Sequence, residues 1–117
     1  MRTEHGSATV WAAFIVTGIV VVAVVGWQIA QLVGLRHQAS AGADLAALAA
    51  SRASLAGTAP CDRAEQVARD NDTILVRCRM DADVATVTAR AESPRWWGGQ
   101  WAVEQRARAA PVSYLPP

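Results

Sequence analysis

Residues 7–35 read SATVWAAFIVTGIVVVAVVGWQIAQLVGL, and this stretch, which contains no charged side chain, decides the fold. The nearest charged residues are Glu4 before it and Arg36 after it. A run of about 20 apolar residues spans a bilayer as a helix, and a helix satisfies its own backbone hydrogen bonds in lipid. The stretch is longer than this minimum, so the sequence predicts one transmembrane helix over residues 7–35.

The rest of the chain is small and nearly neutral. The protein has 117 residues. It contains 11 arginines, no lysine and 10 acidic residues, which gives a formal net charge of +1. Residues 36–117 suffice for one small domain. The charges are interspersed along the chain rather than clustered, which argues against a nucleic-acid partner.

Residues 36–56 are predicted to extend the membrane helix beyond the bilayer. Alanine and leucine dominate this segment, and both are strong helix formers. Its apolar positions recur at helical spacing: Ala41, Leu45, Leu48 and Leu55. Such a stripe predicts the helix face that packs against the domain that follows. Gly57, with Pro60 beyond it, is the predicted stop signal.

Residues 57–110 are predicted to form a small domain. A short helix opens at Pro60 and covers CDRAEQVARDND, which ends in a turn. Three predicted strands follow: TILVRCRM (73–80), VATVTARA (84–91) and WAVEQRARA (101–109). Their predicted inward positions are Ile74, Val76, Cys78 and Met80, then Ala85, Val87 and Ala89, then Trp101 and Val103. Residues 111–117 are predicted to be an extended tail. The fold class is therefore α+β, with a long N-terminal membrane-spanning helix, one short helix and a three-stranded antiparallel sheet.

The two cysteines, Cys61 and Cys78, both lie beyond the membrane segment. An even pair in a small domain outside the cytoplasm indicates one disulfide, which would stabilise a domain with a small core. Their separation does not fit a CxxC redox motif. Two cysteines alone do not make a zinc site.

No catalytic constellation is evident in the sequence, so an enzyme is not predicted, and neither a metal nor a cofactor. The serines lack a neighbouring acid–base signature. His37 and Asp44 are expected on solvated surface. The acidic residues Asp70, Asp72, Asp81 and Asp83 do not have the spacing of a calcium-binding EF-hand loop, and we interpret them as turn residues.

Two groups of residues are candidate contact surfaces. Gly26, Ala30 and Gly34 form a small-residue ridge that would let another membrane helix approach closely, although Gly and Ala are also common in membrane helices for no such reason. Trp96 and Trp97, beside a glycine pair, are candidate partner contacts, or one of them fills the core together with Trp101.

The order of segments at the N-terminus indicates processing. A secretory signal places its small-residue cleavage site after the apolar core, whereas here the small-residue junction Gly6-Ser7 lies before it. This is the layout of a type IV prepilin leader. Residues 1–6 are therefore the predicted leader, and Ser7 would begin the mature chain.

The chain also resembles a known family. The HGSATV start, the single apolar helix and the following RHQASAGADLAALAA resemble the Flp pilus-assembly TadE/TadG-like proteins of the tight-adherence system. Further on, Cys61, VARDND, Cys78, DVATVTA and ARAAP are similar to the small actinobacterial TadE-like branch. The resemblance implies a prepilin-type protein with a pilin-like fold, cut by a prepilin peptidase and assembled with other pilin-like subunits and the Tad secretion machinery. One position departs from the pilin pattern, because Trp11 stands where pilins usually carry glutamate.

Two functions follow as hypotheses. The first is a pilin-like (pseudopilin or minor pilin) component of a Tad/Flp-type pilus or secretion apparatus. The alternative is a bitopic membrane protein whose extracytoplasmic domain binds a protein partner, without leader cleavage or a filament. In both, the chain is a single-pass protein of the cell membrane with its N-terminus in the cytoplasm and its C-terminal domain outside.

Overall fold

The structure, a computed structural model, describes residues 2–95 and 99–113, with side chains from residue 6 onward. It has two helices and three strands in this order: α1 (Arg2–Leu55), α2 (Pro60–Asp70), β1 (Ile74–Asp81), β2 (Val84–Glu92) and β3 (Ala102–Ala109). The strands form one antiparallel sheet in the order β1-β2-β3. The predicted α+β class is confirmed. The chain divides into two compact units, Met1–Val33 and Gly34–Pro117, which we describe separately.

The N-terminal unit is the apolar part of α1. Its large side chains are exposed, and Phe14 and Val22 each expose 71% of their surface. One of its polar residues, Thr17, donates its hydroxyl to the carbonyl of Ala13 at 2.8 Å, so this side chain is satisfied within the helix. Among the described residues there is one helix long and apolar enough, by length and composition, to cross a membrane. This indicates a single-pass membrane protein.

The predicted stop at Gly57 is confirmed in the second unit. Gly57 has a φ of 73°, in the left-handed region that glycine adopts without a side-chain clash. Its N–H donates to the carbonyl of Ser54, and the N–H of Thr58 donates to the carbonyl of Ala53. This pair of bonds is a Schellman motif, which satisfies carbonyls at the end of α1.

The core of the second unit is built almost entirely from alanine. From α1 it contains Ala43, Ala46, Ala47 and Ala50; from α2, Ala64 and Ala68; and from the sheet, Ala85, Val87, Ala89, Ala107 and Ala109. Val87, on the central strand β2, is the largest of the fully buried side chains. Because alanine adds so little thickness, backbones on either side of this core can approach closely.

The predicted packing face of α1 is wrong. Leu45, Leu48 and Leu55 are exposed over 44%, 44% and 57% of their surface, and Ala41 is exposed as well. The alanine positions of the same helix turn toward the sheet instead. The physical reason is steric, since leucine side chains would hold the helix off a sheet whose inner face is itself alanine.

The predicted alternation in β2 is confirmed, but that in β1 is wrong at its start. A β-bulge between Leu75 and Arg77 adds one residue to β1, and such an insertion shifts the side-chain alternation by one. Leu75 therefore packs on the core with Cys78 and Met80. Ile74 and Val76, which were predicted inward, are exposed over 45% and 39% of their surface.

The prediction that Trp101 is a core residue is also wrong. Trp101 precedes β3 and exposes 40% of its surface. Its backbone pairs with Ser93, whose N–H donates to the Trp101 carbonyl at 2.7 Å and whose hydroxyl accepts from the Trp101 N–H at 2.8 Å. Val103, the other residue of β3 predicted to face inward, packs against Leu35, Ala39 and Ala91.

Candidate functional site

The predicted processing junction lies on an open stretch of α1. Gly6 and Ser7 are both exposed, and a Cβ added at Gly6 would meet no heavy atom within 4 Å. Trp11, at the position where pilins carry glutamate, is exposed over 68% of its surface. Cleavage at Gly6-Ser7 stays a prediction, for which the junction offers an accessible backbone without a side chain at the cut.

The small-residue ridge is exposed too. Gly26, Ala30 and Gly34 are all exposed, and apart from the neighbouring backbone of α1 no described heavy atom lies within 4 Å of a Cβ built at either glycine. The described residues therefore leave the ridge open to another helix. Its use in helix packing stays a prediction.

The leucine face is a surface of α1 that we define by Ala41, Leu45, Leu48 and Leu55. The spacing of these residues correctly placed them on one face of α1, but the prediction that this face packs against the small domain was wrong. Arg52, also exposed, lies within the same stripe by helical spacing. The second unit thus carries apolar surface that its described residues do not cover, and such surface is typical of an interaction site.

Cys61 on α2 and Cys78 on β1 are bonded in the structure, with their Cα atoms 5.8 Å apart. Both side chains are half-buried. The bond connects the short helix to an edge strand of the sheet across 17 residues of sequence.

The predicted partner contacts Trp96 and Trp97 lie outside the described residues. His37 and Asp44 are exposed on α1, as expected. Of the four acidic residues interpreted as turn residues, Asp72 and Asp83 lie in turns, whereas Asp70 ends α2 and Asp81 ends β1. Asp81 pairs with Arg79 at 3.4 Å, and Asp83 accepts hydrogen bonds from Ser51 and Ser54, each at 2.8 Å. Within residues 2–95 and 99–113 no three His, Cys, Asp or Glu side chains are grouped to hold a metal ion.

Sequence reasoning missed a basic surface on the outer face of the sheet, which we call the arginine face. It consists of Arg77, Arg79, Arg106 and Arg108, with Thr86 and Thr88 between them. The arginines are exposed and the threonines half-buried. The signal was present in the sequence as two copies of Arg-x-Arg, RCR and RAR. Because alternate residues of a strand share a face, each copy places two arginines on one side of the sheet.

A known protein family matches the first part of the chain. The model of the putative Flp pilus-assembly TadE/G-like family matches residues 6–59, which cover α1 from Gly6 and the turn that follows it. No curated protein and no solved structure matches the chain. The family is one of structural and assembly proteins. The match supports the interpretation that this chain is a component of the Tad pilus machinery at the membrane. Residues 6–59 of this chain are therefore similar to the Flp pilus-assembly TadE/G-like family, as the resemblance in sequence predicted.

Proposed function

We propose that the protein is a pilin-like, non-enzymatic subunit (a pseudopilin or minor pilin) of a Tad/Flp-type pilus or secretion apparatus. The observation that carries this proposal is the leucine face of α1. A single membrane span needs apolar surface only in lipid, yet this helix continues with exposed leucines within the second unit. Lateral packing of helices from neighbouring subunits gives that surface a use.

The proposed life of the subunit begins with cleavage by a prepilin peptidase between Gly6 and Ser7. The leader would lie in the cytoplasm, and residues 36–117 would lie outside the membrane. The mature protein would then assemble with other pilin-like subunits and the Tad secretion machinery, using the ridge at Gly26, Ala30 and Gly34 within the membrane. The exposed, glycine-bearing junction supports the cleavage step.

Trp11 argues for a minor, initiating or tip-like role rather than that of the bulk subunit. Cleavage would leave a free amine on Ser7, and glutamate at position 11 would offer a neighbour's amine a negative charge. Trp11 has none, and no carboxylate occurs in the mature chain before Asp44. An unpaired cationic amine in lipid costs at least a few kcal/mol. A fibre made of this subunit alone would repeat that cost at each contact.

The experiment that tests this function is the mass of the mature N-terminus, measured from cells with and without the prepilin peptidase. We expect the chain to begin at Ser7 only where the peptidase is active. Gly6→Asp should block cleavage, whereas Ser7→Ala, which keeps a small residue after the cut, should not. Residues 1–6 still attached in cells with active peptidase would reject the pilin-like function and favour the bitopic alternative.

A further inference from the structure

The strand register places four arginines at the corners of a rectangle on the arginine face. Arg77 is paired through Thr88 with Arg106, and Arg79 is paired through Thr86 with Arg108. Residues two apart on a strand are separated by about 7 Å, and strands two apart by about 10 Å. Four cationic groups therefore surround two threonine hydroxyls on one exposed surface.

Most of this charge is not compensated by the residues that the structure describes. Arg79 pairs with Asp81, and Arg90, further along the same face, pairs with Glu92 and Glu104. Among the described residues Arg77, Arg106 and Arg108 have no ion-pair partner. Like charges this close repel one another, so the fold gains nothing electrostatically from their grouping. An acidic partner would turn the repulsion into attraction.

The surroundings of the arginine face favour a protein as the partner. Ile74 and Val76, exposed by the bulge in β1, lie beside Arg77, and interfaces between proteins combine apolar side chains with arginine. A groove of about 580 Å³ crosses the three strands, and Glu104 lines it together with Arg77, Arg106 and both threonines. Glu104 would repel a continuous polyanion, whereas a protein surface can present a donor to it. A single small anion could not engage all four exposed arginines.

We propose that the arginine face is a docking site for a carboxylate-bearing surface of another protein subunit in the same apparatus. Naming a subunit as the partner rests on the proposed function, but the requirement for an acidic protein surface does not. The contact would be electrostatic in its specificity, with Ile74 and Val76 contributing apolar area at its edge. Charge pairs of this kind select partners and are weakened by salt.

The test uses the full-length protein in cells that carry the apparatus. A photo-crosslinking amino acid replaces Thr88, at the centre of the face, and in a control it replaces Gln66, exposed on α2. The crosslinked peptide is then identified by mass spectrometry. We expect the probe at position 88 to capture a peptide rich in Asp or Glu from a pilin-like subunit, and the probe at position 66 not to capture that peptide.

Charge reversal shows whether the arginines are responsible. Arg77→Glu combined with Arg106→Glu should lower the crosslinking yield about tenfold, as expected for the loss of close charge pairs. Arg63→Glu combined with Arg69→Glu makes the same change of net charge on α2 and should leave the yield unchanged. Reversing the captured carboxylates on the partner should restore it. If the reversed protein does not accumulate, Arg77→Gln with Arg106→Gln removes the charge without reversing it.

Several outcomes would overturn the proposal: capture of a second copy of this chain, capture of lipid, a captured peptide without acidic residues, or a yield indifferent to both arginine variants. Leader cleavage is scored in the same cells, which separates this proposal from the proposed function. Retained residues 1–6 together with an arginine-dependent acidic crosslink would reject the pilin-like function and support the docking site. Normal cleavage without that crosslink would support the pilin-like function and reject the docking site.

Discussion

At the scale of single residues, Gly42 is the one described glycine at which an added Cβ would meet other atoms within 4 Å. A Cβ added there would lie 2.6 Å from Cγ2 of Thr73, with the hydroxyl closer still. Thr73 cannot easily move, because it exposes only 2% of its surface and its hydroxyl donates to the carbonyl of Ala68 at 2.8 Å. The helix α1 therefore tolerates only glycine at this point.

We predict that Gly42→Ala destabilises the domain. Overpacking of this kind costs about 1–3 kcal/mol, to be measured by urea unfolding of the protein in detergent. Gly34→Ala is the matched control on the same helix, because a Cβ at Gly34 meets no atom within 4 Å. Both changes share the gain in helix propensity of roughly 1 kcal/mol, so the difference between them isolates the clash. Equal unfolding free energies for the two variants would contradict the assigned contact.

At the scale of elements, the disulfide fixes α2 to β1. Closing a loop of this size stabilises a domain by about 3 kcal/mol in the chain-entropy model. We predict a loss of this order when Cys61 and Cys78 are reduced or both replaced by serine, seen as a lower urea midpoint.

The same disulfide tests the compartment of the domain. Peptide mapping of the native protein without reductant should yield one linked pair, because disulfides persist outside the cytoplasm. Two free thiols in native material would count against both the bond and the extracytoplasmic location.

The leucine face allows stability and assembly to be separated. Leu45→Ser with Leu48→Ser should leave the unfolding free energy of the isolated protein nearly unchanged, since both side chains are substantially exposed and surface changes usually fall within about 0.5 kcal/mol. The same variant should lose co-purification with other pilin-like subunits. As a control in the buried row, Ala46→Ser should affect stability instead. Unimpaired assembly of the leucine variant would remove the support that this face gives to the proposed function.

The existence, type and order of all five elements were predictable from the sequence, because apolar periodicity and turn residues mark them locally. The sequence was a poorer guide to which side of each element faces the core. Hydropathy favours leucine over alanine as core, but the choice in α1 was made by the alanine face of β2, some forty positions away. Likewise, nothing in ILVRC marks the bulge that turns Val76 outward. The arginine face was missed because charges were judged along the chain and not across paired strands.

At the scale of the whole molecule, the mature N-terminus predicts how many copies assemble. Because no carboxylate lies near Ser7 to pair with a neighbour's amine, the subunit should be scarce in purified surface filaments. Deleting its gene should lower the number of filaments, and not only remove this subunit from them. Quantitative mass spectrometry of filaments measures the ratio of this chain to the other subunits. Recovery of this chain as the major repeating subunit would reject the minor role.

The alanine core also bears on how the gene can change. Every amino acid one nucleotide away from an alanine codon is glycine, proline or a residue with more side-chain atoms. Ala46 and Ala89, for example, are both fully buried. At such positions glycine or proline would destabilise the helix, and a larger residue would overpack the core. Few single-nucleotide substitutions in this core should therefore be neutral. The exposed leucines and arginines are under no such restriction. We therefore expect single-nucleotide changes to be tolerated more often on the leucine face and the arginine face than in the alanine core.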